Sequence, residues 1–256
     1  MATLVSIVVP FFNEEDGIPR LTGKLISLRR RLASKYDTEF ILVDDGSRDG
    51  SAVVARKTLS GIPNAVVVTH EHNRGLGAAL RTGFASARGE ILCPIDADCT
   101  YDPSDVERLL EALEQGSADI ASGSPYHPRG GVENVTHWRL WLSQGASWIY
   151  RQICPGKLYT YTCMVRAQRR RVIDSVTFEA DGFEAVAEML LRALCQGYEV
   201  VEVPMILRSR LTGVSKMRTL RTIRKHLGLM LRVLGWRILG THSVPGRLRA
   251  NQDVIS

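Results

Sequence analysis

Two aspartates, Asp96 and Asp98, directly follow an apolar run from Ile91 to Ile95. This pattern predicts a buried strand that ends at an exposed edge. Because side chains alternate along a strand, both carboxylates would point the same way, with Ala97 between them. Like charges this close repel each other unless a cation neutralises them. Carboxylate oxygens suit Mg²⁺ or Mn²⁺, which keep open positions for phosphate oxygens. The simpler alternative is a solvated turn, where aspartate is common.

The pattern before this pair predicts the elements that must position it. Three further apolar, β-branched segments precede it, and each of the four strands alternates with a segment of helical periodicity. Such alternation predicts an α/β fold, with a mostly parallel sheet and helices on both faces. Ligands of such sheets bind beyond the carboxyl ends of the strands. The polar residues that follow the four strands are Asn13 and Glu14, Asp44 and Asp45, Asn73, and Asp96 and Asp98.

The second half of the chain has less regular patterns. We expect a strand over Asp119–Ser122, a flexible loop over Pro125–Asn134 and an aromatic-rich helix over Val135–Ile153. Further on, the predicted elements are a strand over Tyr159–Arg166, a helix over Gly182–Gln196 and a strand over Glu199–Leu207.

Composition indicates a globular chain that can bury a full core. Of its 256 residues, 45% are hydrophobic and 23% are charged. Its five cysteines include no Cys-x-x-Cys pair, which argues against a disulfide framework or a zinc site and favours a reducing cytosol. The N-terminus lacks the basic segment of a signal peptide, and no apolar run reaches the roughly 18 residues of a spanning helix.

The net charge of +6 is unevenly distributed. Residues 205–256 contain a single acid, Asp253, among many lysines and arginines. Within residues 218–256, leucines recur at helical spacing between basic residues, which predicts a basic amphipathic helix. Such a helix suits an anionic membrane interface. The alternative is a helix packed on the domain with a solvated basic face. No recognition motif supports nucleic-acid binding.

The loops contain no P-loop and no Gly-x-Gly-x-x-Gly dinucleotide motif. Instead, the first strand ends in Pro10-Phe11-Phe12-Asn13-Glu14, where an aromatic ring beside an acid can stack a base and bind a ribose. Asp44 and Asp45 are placed to bind the same nucleoside. Taken singly, each group also fits a turn or a helix cap.

Five ordered motifs together resemble those of a known family. They are Val8–Glu14, Val43–Gly50, Asn73–Ala79, Asp96–Asp98, and the late pair Gly197–Pro204 with Arg210–Lys216. Over about residues 4–217, the chain resembles the inverting family-2 glycosyltransferases of GT-A fold. Within that family it is similar to the dolichyl- and polyprenyl-phosphate mannosyl- and glucosyltransferases.

The resemblance implies a role for each matching residue. Asp96 and Asp98 would hold Mg²⁺ or Mn²⁺ at the diphosphate, and Arg210 and Lys216 would close over phosphate; these four are the predicted catalytic residues. The residues implied to bind the nucleotide sugar are Pro10, Phe12, Glu14, Asp44, Asp45, Asn73, Ala97 and Ser215.

The acceptor side matches the family pattern less well. Thr100, Pro125 and Thr160 stand where the lipid-phosphate enzymes commonly have other residues. The candidates for binding an acceptor phosphate are Arg129, Arg139 and Arg166. A hydroxyl acceptor would also need a base, whereas a phosphate monoester is already ionised. The candidates for such a base are Asp181, Glu184 and Glu188, of which Asp181 also suits a helix cap.

The sequence therefore predicts a catalytic domain over residues 1–217 and a basic tail over 218–256. The nucleotide-sugar half would be about 1–123 and the acceptor half about 124–217. The predicted activity is metal-dependent transfer of a hexose, from a donor such as GDP-mannose or UDP-glucose, to a polyprenyl phosphate. The enzyme would be peripheral on the cytoplasmic membrane face. The alternatives are a soluble or protein hydroxyl acceptor, or a nucleotide- or lipid-binding protein without activity.

Overall fold

The computed structural model describes residues 2–210 and 219–239, without the side chains of residues 137, 139, 219, 221 and 237–239. The strands are β1 (Thr3–Phe11), β2 (Tyr36–Asp44), β3 (Ala65–Thr69), β4 (Ile91–Pro94), β5 (Ile120–Ser124), β6 (Gly131–Glu133), β7 (Arg166–Arg169), β8 (Val200–Pro204) and β9 (Ile206–Arg208). The helices are α1 (Ile18–Leu32), α2 (Ser51–Leu59), α3 (Leu76–Ser86), α4 (Asp105–Gln115), α5 (His137–Ile153), α6 (Arg170–Ser175), α7 (Glu184–Cys195) and α8 (Thr219–Leu239).

Seven strands form one sheet in the order β3-β2-β1-β4-β7-β5-β8. The pairs β1–β2, β2–β3, β1–β4 and β5–β8 are parallel, whereas β7 is antiparallel to both of its neighbours. Strands β6 and β9 form a separate parallel pair. The predicted mostly parallel sheet is confirmed, and the carboxyl ends of β1, β2 and β4 lie side by side.

Helices cover both faces of the sheet because β1 and β2 are apolar on both sides. Strand β1 directs Ile7 and Val9 into one core cluster, with the leucines of α1 and α4, and Val8 into the other. The second cluster contains residues of α3, α5, α6, α7 and α8. Both predicted helical layers are therefore present.

The predicted strand over Tyr159–Arg166 is wrong, since β7 begins only at Arg166. The amides of Tyr159 and Thr160 donate to the two carboxylate oxygens of Glu202, at 2.8 and 2.9 Å, instead of to a strand. Apolar alternation alone does not reveal this competing side-chain acceptor. The predicted last strand is divided at Met205 into β8 and β9, next to the expected break at Pro204.

Two glycines bring the start of α3 against the loop before α7. A Cβ atom at Gly77 would lie 1.9 Å from the Ala180 carbonyl oxygen, and one at Gly75 would lie 2.2 Å from that of Asp181. Gly75 also has a φ of +98°, which favours glycine. The Gly77 amide donates to the Asp181 carbonyl oxygen at 2.8 Å. These glycines therefore allow a backbone contact between the start of α3 and the loop before α7.

One side of helix α8 packs against the rest of the domain. Its residues Leu229 and Val233 are buried in the second core cluster, and Lys225 forms an ion pair of 2.9 Å with Glu184 of α7. Other leucines of the same helix are exposed. None of the helices in the described part of the chain is long and apolar enough to cross a membrane.

Candidate active site

The loops after β1 and β2 are held together by side-chain hydrogen bonds. The Asn13 amide donates to Ser47 Oγ at 2.9 Å, and the Glu14 amide donates to Ser51 Oγ at 2.8 Å. In return, Asn13 Oδ1 accepts a bond of 2.8 Å from the Arg48 amide. Asn13 has a φ of +52°, a conformation that asparagine tolerates better than most residues. The first two motifs thus form one connected edge.

The predicted nucleotide-binding residues differ in their accessibility. Pro10 lies buried within β1 opposite Val43, and Ala97 is also buried. Phe12 is half-buried and Asn73 is exposed. Phe12 and Asn73 therefore have surface available to a ligand, whereas Pro10 contributes through the shape of the strand end.

Asp45 organises the loop that leads to α3. One of its carboxylate oxygens accepts from the Asn73 side-chain amide and the Gly75 amide, at 2.9 and 2.8 Å. The other accepts from the Arg74 amide at 2.8 Å and lies 2.8 Å from His70 Nδ1. Because an ionised carboxylate only accepts, Nδ1 carries the proton. The residue predicted to bind the nucleoside directly is thus a buried acceptor for four donors.

Replacement of Asp45 by asparagine tests this supporting role. We expect the free energy of unfolding to fall by about 3 kcal/mol, because an amide cannot accept all of these bonds. Urea unfolding of the variant measures the loss, with Asp37→Asn, at the exposed start of β2, as the matched control. Unchanged stability with lost nucleotide binding would instead assign Asp45 to direct contact with the nucleoside.

His70 is the supporting residue that sequence reasoning missed. It is buried, and its Nε2 lies 2.9 Å from Thr82 Oγ1 on α3. The ring therefore links Asp45 to the helix that follows the glycine-rich loop. A histidine just after a short strand gives no pattern that distinguishes this role.

Asp96 and Asp98 follow β4, whose end is tied to β1 by a bond of 3.0 Å from the Ile95 amide to the Val8 carbonyl oxygen. Burial, together with the charge of Asp98, raises the pKa of Asp96 above its usual value. Asp98 Oδ1 accepts from the Thr100 amide at 3.0 Å. The two carboxylates thus stand close enough to interact, at the edge of the sheet predicted for the site.

Arg210 connects this pair to the loop after β1. Its guanidinium donates to Asp98 Oδ2 through Nε and Nη2, at 3.1 and 2.8 Å, and to Glu14 Oε1 through Nη1 at 2.7 Å. Burial alone would lower the pKa of Arg210, but the Asp98 and Glu14 carboxylates raise it above its usual value. Three segments that are far apart in the sequence therefore meet at one charged cluster.

The residues present fit a divalent cation that the substrate helps to bind. Asp96 and Asp98 offer the hard oxygen ligands that Mg²⁺ and Mn²⁺ prefer. No cluster of three or more His, Cys, Asp or Glu suited to a metal ion occurs among the described residues. Mg²⁺ commonly has only one or two carboxylate ligands and completes its shell with water and phosphate oxygens.

The candidate acceptor cations have different positions. Arg129 lies exposed in the loop before β6. Arg139 belongs to α5, but its side chain is outside the described part of the chain. Ser215 and Lys216 lie wholly outside it.

The position of Arg166 disagrees with the prediction. Its side chain is 0% exposed and donates to Ser122 Oγ and to the Val186 and Tyr161 carbonyl oxygens. Burial also lowers its pKa, to about 10. Arg166 therefore supports the core and does not face an acceptor phosphate.

The candidate bases are engaged in structural contacts. Asp181 pairs with Arg81 of α3. Glu188 is fully buried and accepts from Arg192 Nε at 2.9 Å and from the Ala180 amide at 2.8 Å. Glu184, also buried, pairs with α8. These carboxylates hold α3, α7 and α8 together.

Comparison with known proteins agrees with this arrangement. The profile of glycosyl transferase family 2 matches residues 6–177. The chain belongs to this family. Over 241 residues the glycosyltransferase is 34% identical to polyprenol monophosphomannose synthase of Mycolicibacterium smegmatis, a match that covers 91% of this chain and 87% of that protein. Over 235 residues it is 31% identical to dolichol-phosphate mannosyltransferase of Pyrococcus furiosus, covering 91% and 64% of the two chains.

A solved structure supports the fold of the glycosyltransferase. Glucosyl-3-phosphoglycerate synthase from Mycobacterium tuberculosis, in complex with Mn²⁺, UDP and phosphoglyceric acid, superposes with a TM-score of 0.70 at 21% identity. The match covers 91% of this chain and 79% of that one. The same synthase has also been solved with Mg²⁺ and UDP. The predicted GT-A fold and the resemblance to prenyl-phosphate mannosyltransferases are confirmed.

Proposed function

We propose that this glycosyltransferase moves mannose from GDP-mannose to a polyprenyl phosphate, with inversion at the anomeric carbon and with Mg²⁺ or Mn²⁺ bound. The observation that carries the proposal is the meeting of Glu14, Asp98 and Arg210 beside Asp96. Mannose and a prenyl phosphate are chosen because the two relatives above are named for mannose transfer with polyprenol and dolichol phosphate.

The geometry supports different roles for the different residues of the site. The loop after β1 would bind the nucleoside, with the half-buried ring of Phe12 available for contact with the base. Asp96 and Asp98 would hold the metal, which when bound neutralises charge on the diphosphate. Arg210 stands beside them and would stabilise the negative charge that develops on the leaving diphosphate.

In the proposed reaction, an acceptor phosphate oxygen bonds to the anomeric carbon while the bond to the nucleoside diphosphate breaks on the opposite face. The acceptor oxygen is already ionised near neutral pH and needs no proton removal. The structural use of Asp181, Glu184 and Glu188 is consistent with such an acceptor. Arg129, exposed in the loop before β6, remains a candidate for orienting the phosphate.

We further propose that the enzyme acts at the cytoplasmic face of a membrane, as a peripheral protein. Its acceptor would be anchored there by its hydrocarbon chain, whereas nucleotide sugars are water-soluble. The basic residues after residue 217 favour an anionic surface, because each basic residue near such a surface contributes about 1 kcal/mol of binding free energy.

A transfer assay tests the proposal. Purified enzyme is incubated with radiolabelled GDP-mannose, polyprenyl phosphate and Mn²⁺, and the label that enters an organic extract is counted. We expect extractable label that disappears with EDTA or when polyprenyl phosphate is omitted. Parallel reactions contain UDP-glucose, or glycerol and a peptide as hydroxyl acceptors. Label only in water-soluble product would favour a soluble acceptor, and no transfer from any nucleotide sugar would contradict the proposal.

A further inference from the structure

Two of the five cysteines lie side by side at the ends of two helices. Cys154 directly follows α5, and Cys195 is the last residue of α7. A side-chain hydrogen bond joins the Cys154 thiol to the sulfur of Cys195. Both residues are thiols in the structure. Because they are far apart in the sequence, the fold itself brings the two sulfur atoms together.

The backbone around the two cysteines is tightly packed. The Cys154 amide donates to the Tyr150 carbonyl oxygen at 2.9 Å, which completes the last turn of α5. Two residues later, a Cβ atom at Gly156 would lie 2.7 Å from Cδ2 of Leu194, the residue before Cys195. The segment after α5 therefore lies directly on the last turn of α7, and the contact between the thiols is part of this packing.

The cysteines differ in their access to solvent. Cys195 is half-buried, whereas Cys154 is only 6% exposed. Cys93 and Cys163 are buried in the first core cluster. Cys99 is the other half-buried cysteine. A water-soluble reagent can therefore reach Cys195, and Cys154 lies next to it on the protected side.

The surroundings of Cys195 favour its thiolate, which is the reactive form of a cysteine. The hydrogen bond from Cys154 lowers the pKa of the Cys195 thiol below its usual value, and the charge of Arg192 lowers it further, although burial opposes both. Arg192 is held in place by an ion pair of 2.8 Å with Glu188, and its guanidinium carbon lies 4.7 Å from the ring centroid of Trp236.

The carboxyl end of a helix normally disfavours an anion, because its last carbonyl oxygens lack partners. At the end of α7 these oxygens are paired. The Gln196 amide donates to the Arg192 carbonyl oxygen at 2.9 Å, and the Tyr198 amide donates to that of Ala193 at 3.1 Å. Gly197, with a φ of +82°, allows the chain to turn back in this way. The pairing weakens the repulsion that a thiolate at Cys195 would meet.

We propose that Cys195 and Cys154 form an oxidant-responsive thiol pair, in which a peroxide oxidises Cys195 and Cys154 then closes a disulfide. With hydrogen peroxide, the Cys195 thiolate attacks one oxygen and the O–O bond breaks. The sulfur becomes a sulfenic acid, and the other oxygen leaves as hydroxide, which takes up a proton to become water. The Cys154 sulfur then attacks the Cys195 sulfur and loses its proton, and the S–O bond breaks to release a second water.

The disulfide would have a protective and a structural effect. Sulfur atoms in hydrogen-bond contact must approach to about 2.0 Å, which rotation about the two Cα–Cβ bonds brings about. The bond would protect Cys195 from irreversible oxidation to a sulfinic acid, and a thiol reductant would restore both thiols. It would also link the ends of α5 and α7, at the opposite end of α7 from the loop that contacts Gly75 and Gly77. A transient disulfide of this kind is compatible with a reducing cytosol.

Mass spectrometry of the reduced, full-length enzyme tests the inference. The protein is treated with hydrogen peroxide, the remaining thiols are alkylated with iodoacetamide, and nonreducing peptide mapping locates any cross-link. We expect the peroxide-treated protein to lose about 2 Da before alkylation, the mass of two hydrogen atoms. The map should contain one linked pair of peptides, with Cys154 and Cys195, and dithiothreitol should reverse both changes.

Three single variants assign the roles of the two thiols. Cys154→Ala should accumulate a sulfenic acid at Cys195, which dimedone labels, and then a sulfinic acid that dithiothreitol does not reduce. Cys195→Ala should form no cross-link. Cys99→Ala is the matched control, because Cys99 is also half-buried, and it should form the Cys154–Cys195 disulfide at the wild-type rate.

A measurement on the wild type alone covers the case in which a variant does not fold, which far-UV circular dichroism would reveal. Iodoacetamide at neutral pH is allowed to react for increasing times, and peptide mapping follows each cysteine. We expect Cys195 to be alkylated at least about tenfold faster than Cys99, because its thiolate is favoured.

Three results would overturn the inference: oxidation of Cys195 to a sulfinic acid in the wild type without a disulfide, a cross-link that joins other cysteines or two copies of the chain, or alkylation of Cys99 as fast as that of Cys195. None of these measurements uses a nucleotide sugar or an acceptor. Their outcome is therefore independent of the proposed function, which the transfer assay tests separately.

Discussion

Replacing Asp96 or Asp98 with asparagine should lower the rate of sugar transfer by at least about 10³-fold. Each substitution removes a charged oxygen ligand while keeping the shape of the side chain. The leaving diphosphate would then lose the cation that neutralises it. Initial rates at saturating nucleotide sugar and Mn²⁺ measure the effect, and titration with Mn²⁺ should show weakened metal binding.

The matched control for these variants is Asp102→Asn. Asp102 lies in the same loop and pairs with Lys24 of α1, away from the Arg210 cluster. We expect this enzyme to keep nearly the wild-type rate. Full activity of Asp96→Asn and Asp98→Asn would show that the pair does not hold a catalytic metal.

Replacing Arg210 with methionine should lower the rate by about 10²-fold and strengthen binding of Mn²⁺ in the absence of nucleotide. The rate falls because a cation beside the diphosphate is lost. Metal binding strengthens because the guanidinium no longer occupies Asp98 Oδ2 and Glu14 Oε1. Initial rates and titration of the nucleotide-free enzyme with Mn²⁺ measure the two opposed effects.

Arg208→Met is the matched control for Arg210→Met. Arg208 stands two residues earlier and pairs with Glu133 of β6 at 3.1 Å, outside the cluster. Neither its rate nor its Mn²⁺ affinity should change. If Arg210→Met weakens metal binding, then Arg210 supports the metal site and does not compete for its ligands.

The regular part of the fold was predictable because its signals are local. Apolar runs of a few residues that alternate with amphipathic segments of helical length specify β1 to β4 and α1 to α4. The edge where Asp96 and Asp98 lie follows from the rule that parallel strands place their carboxyl ends together. The helical spacing of the leucines after residue 218 likewise predicted the helix that is observed as α8.

The connections within the site were not predictable, because they depend on side chains far apart in the sequence. Arg210 reaches Glu14 across 196 positions, which no local pattern encodes. Asp45 has the sequence context of a ligand contact, yet its carboxylate is occupied by the loop after β3. Arg166 matched the family pattern in the acceptor half, but its side chain is fully buried.

Manganese located in a crystal with GDP tests the central claim most directly, because its anomalous scattering identifies the metal. We expect one manganese ion ligated by Asp96, Asp98 and diphosphate oxygens, with the guanidinium of Arg210 moved from Asp98 to the diphosphate. A nucleotide bound at this edge with no metal on the two aspartates would contradict the account, as would manganese bound elsewhere.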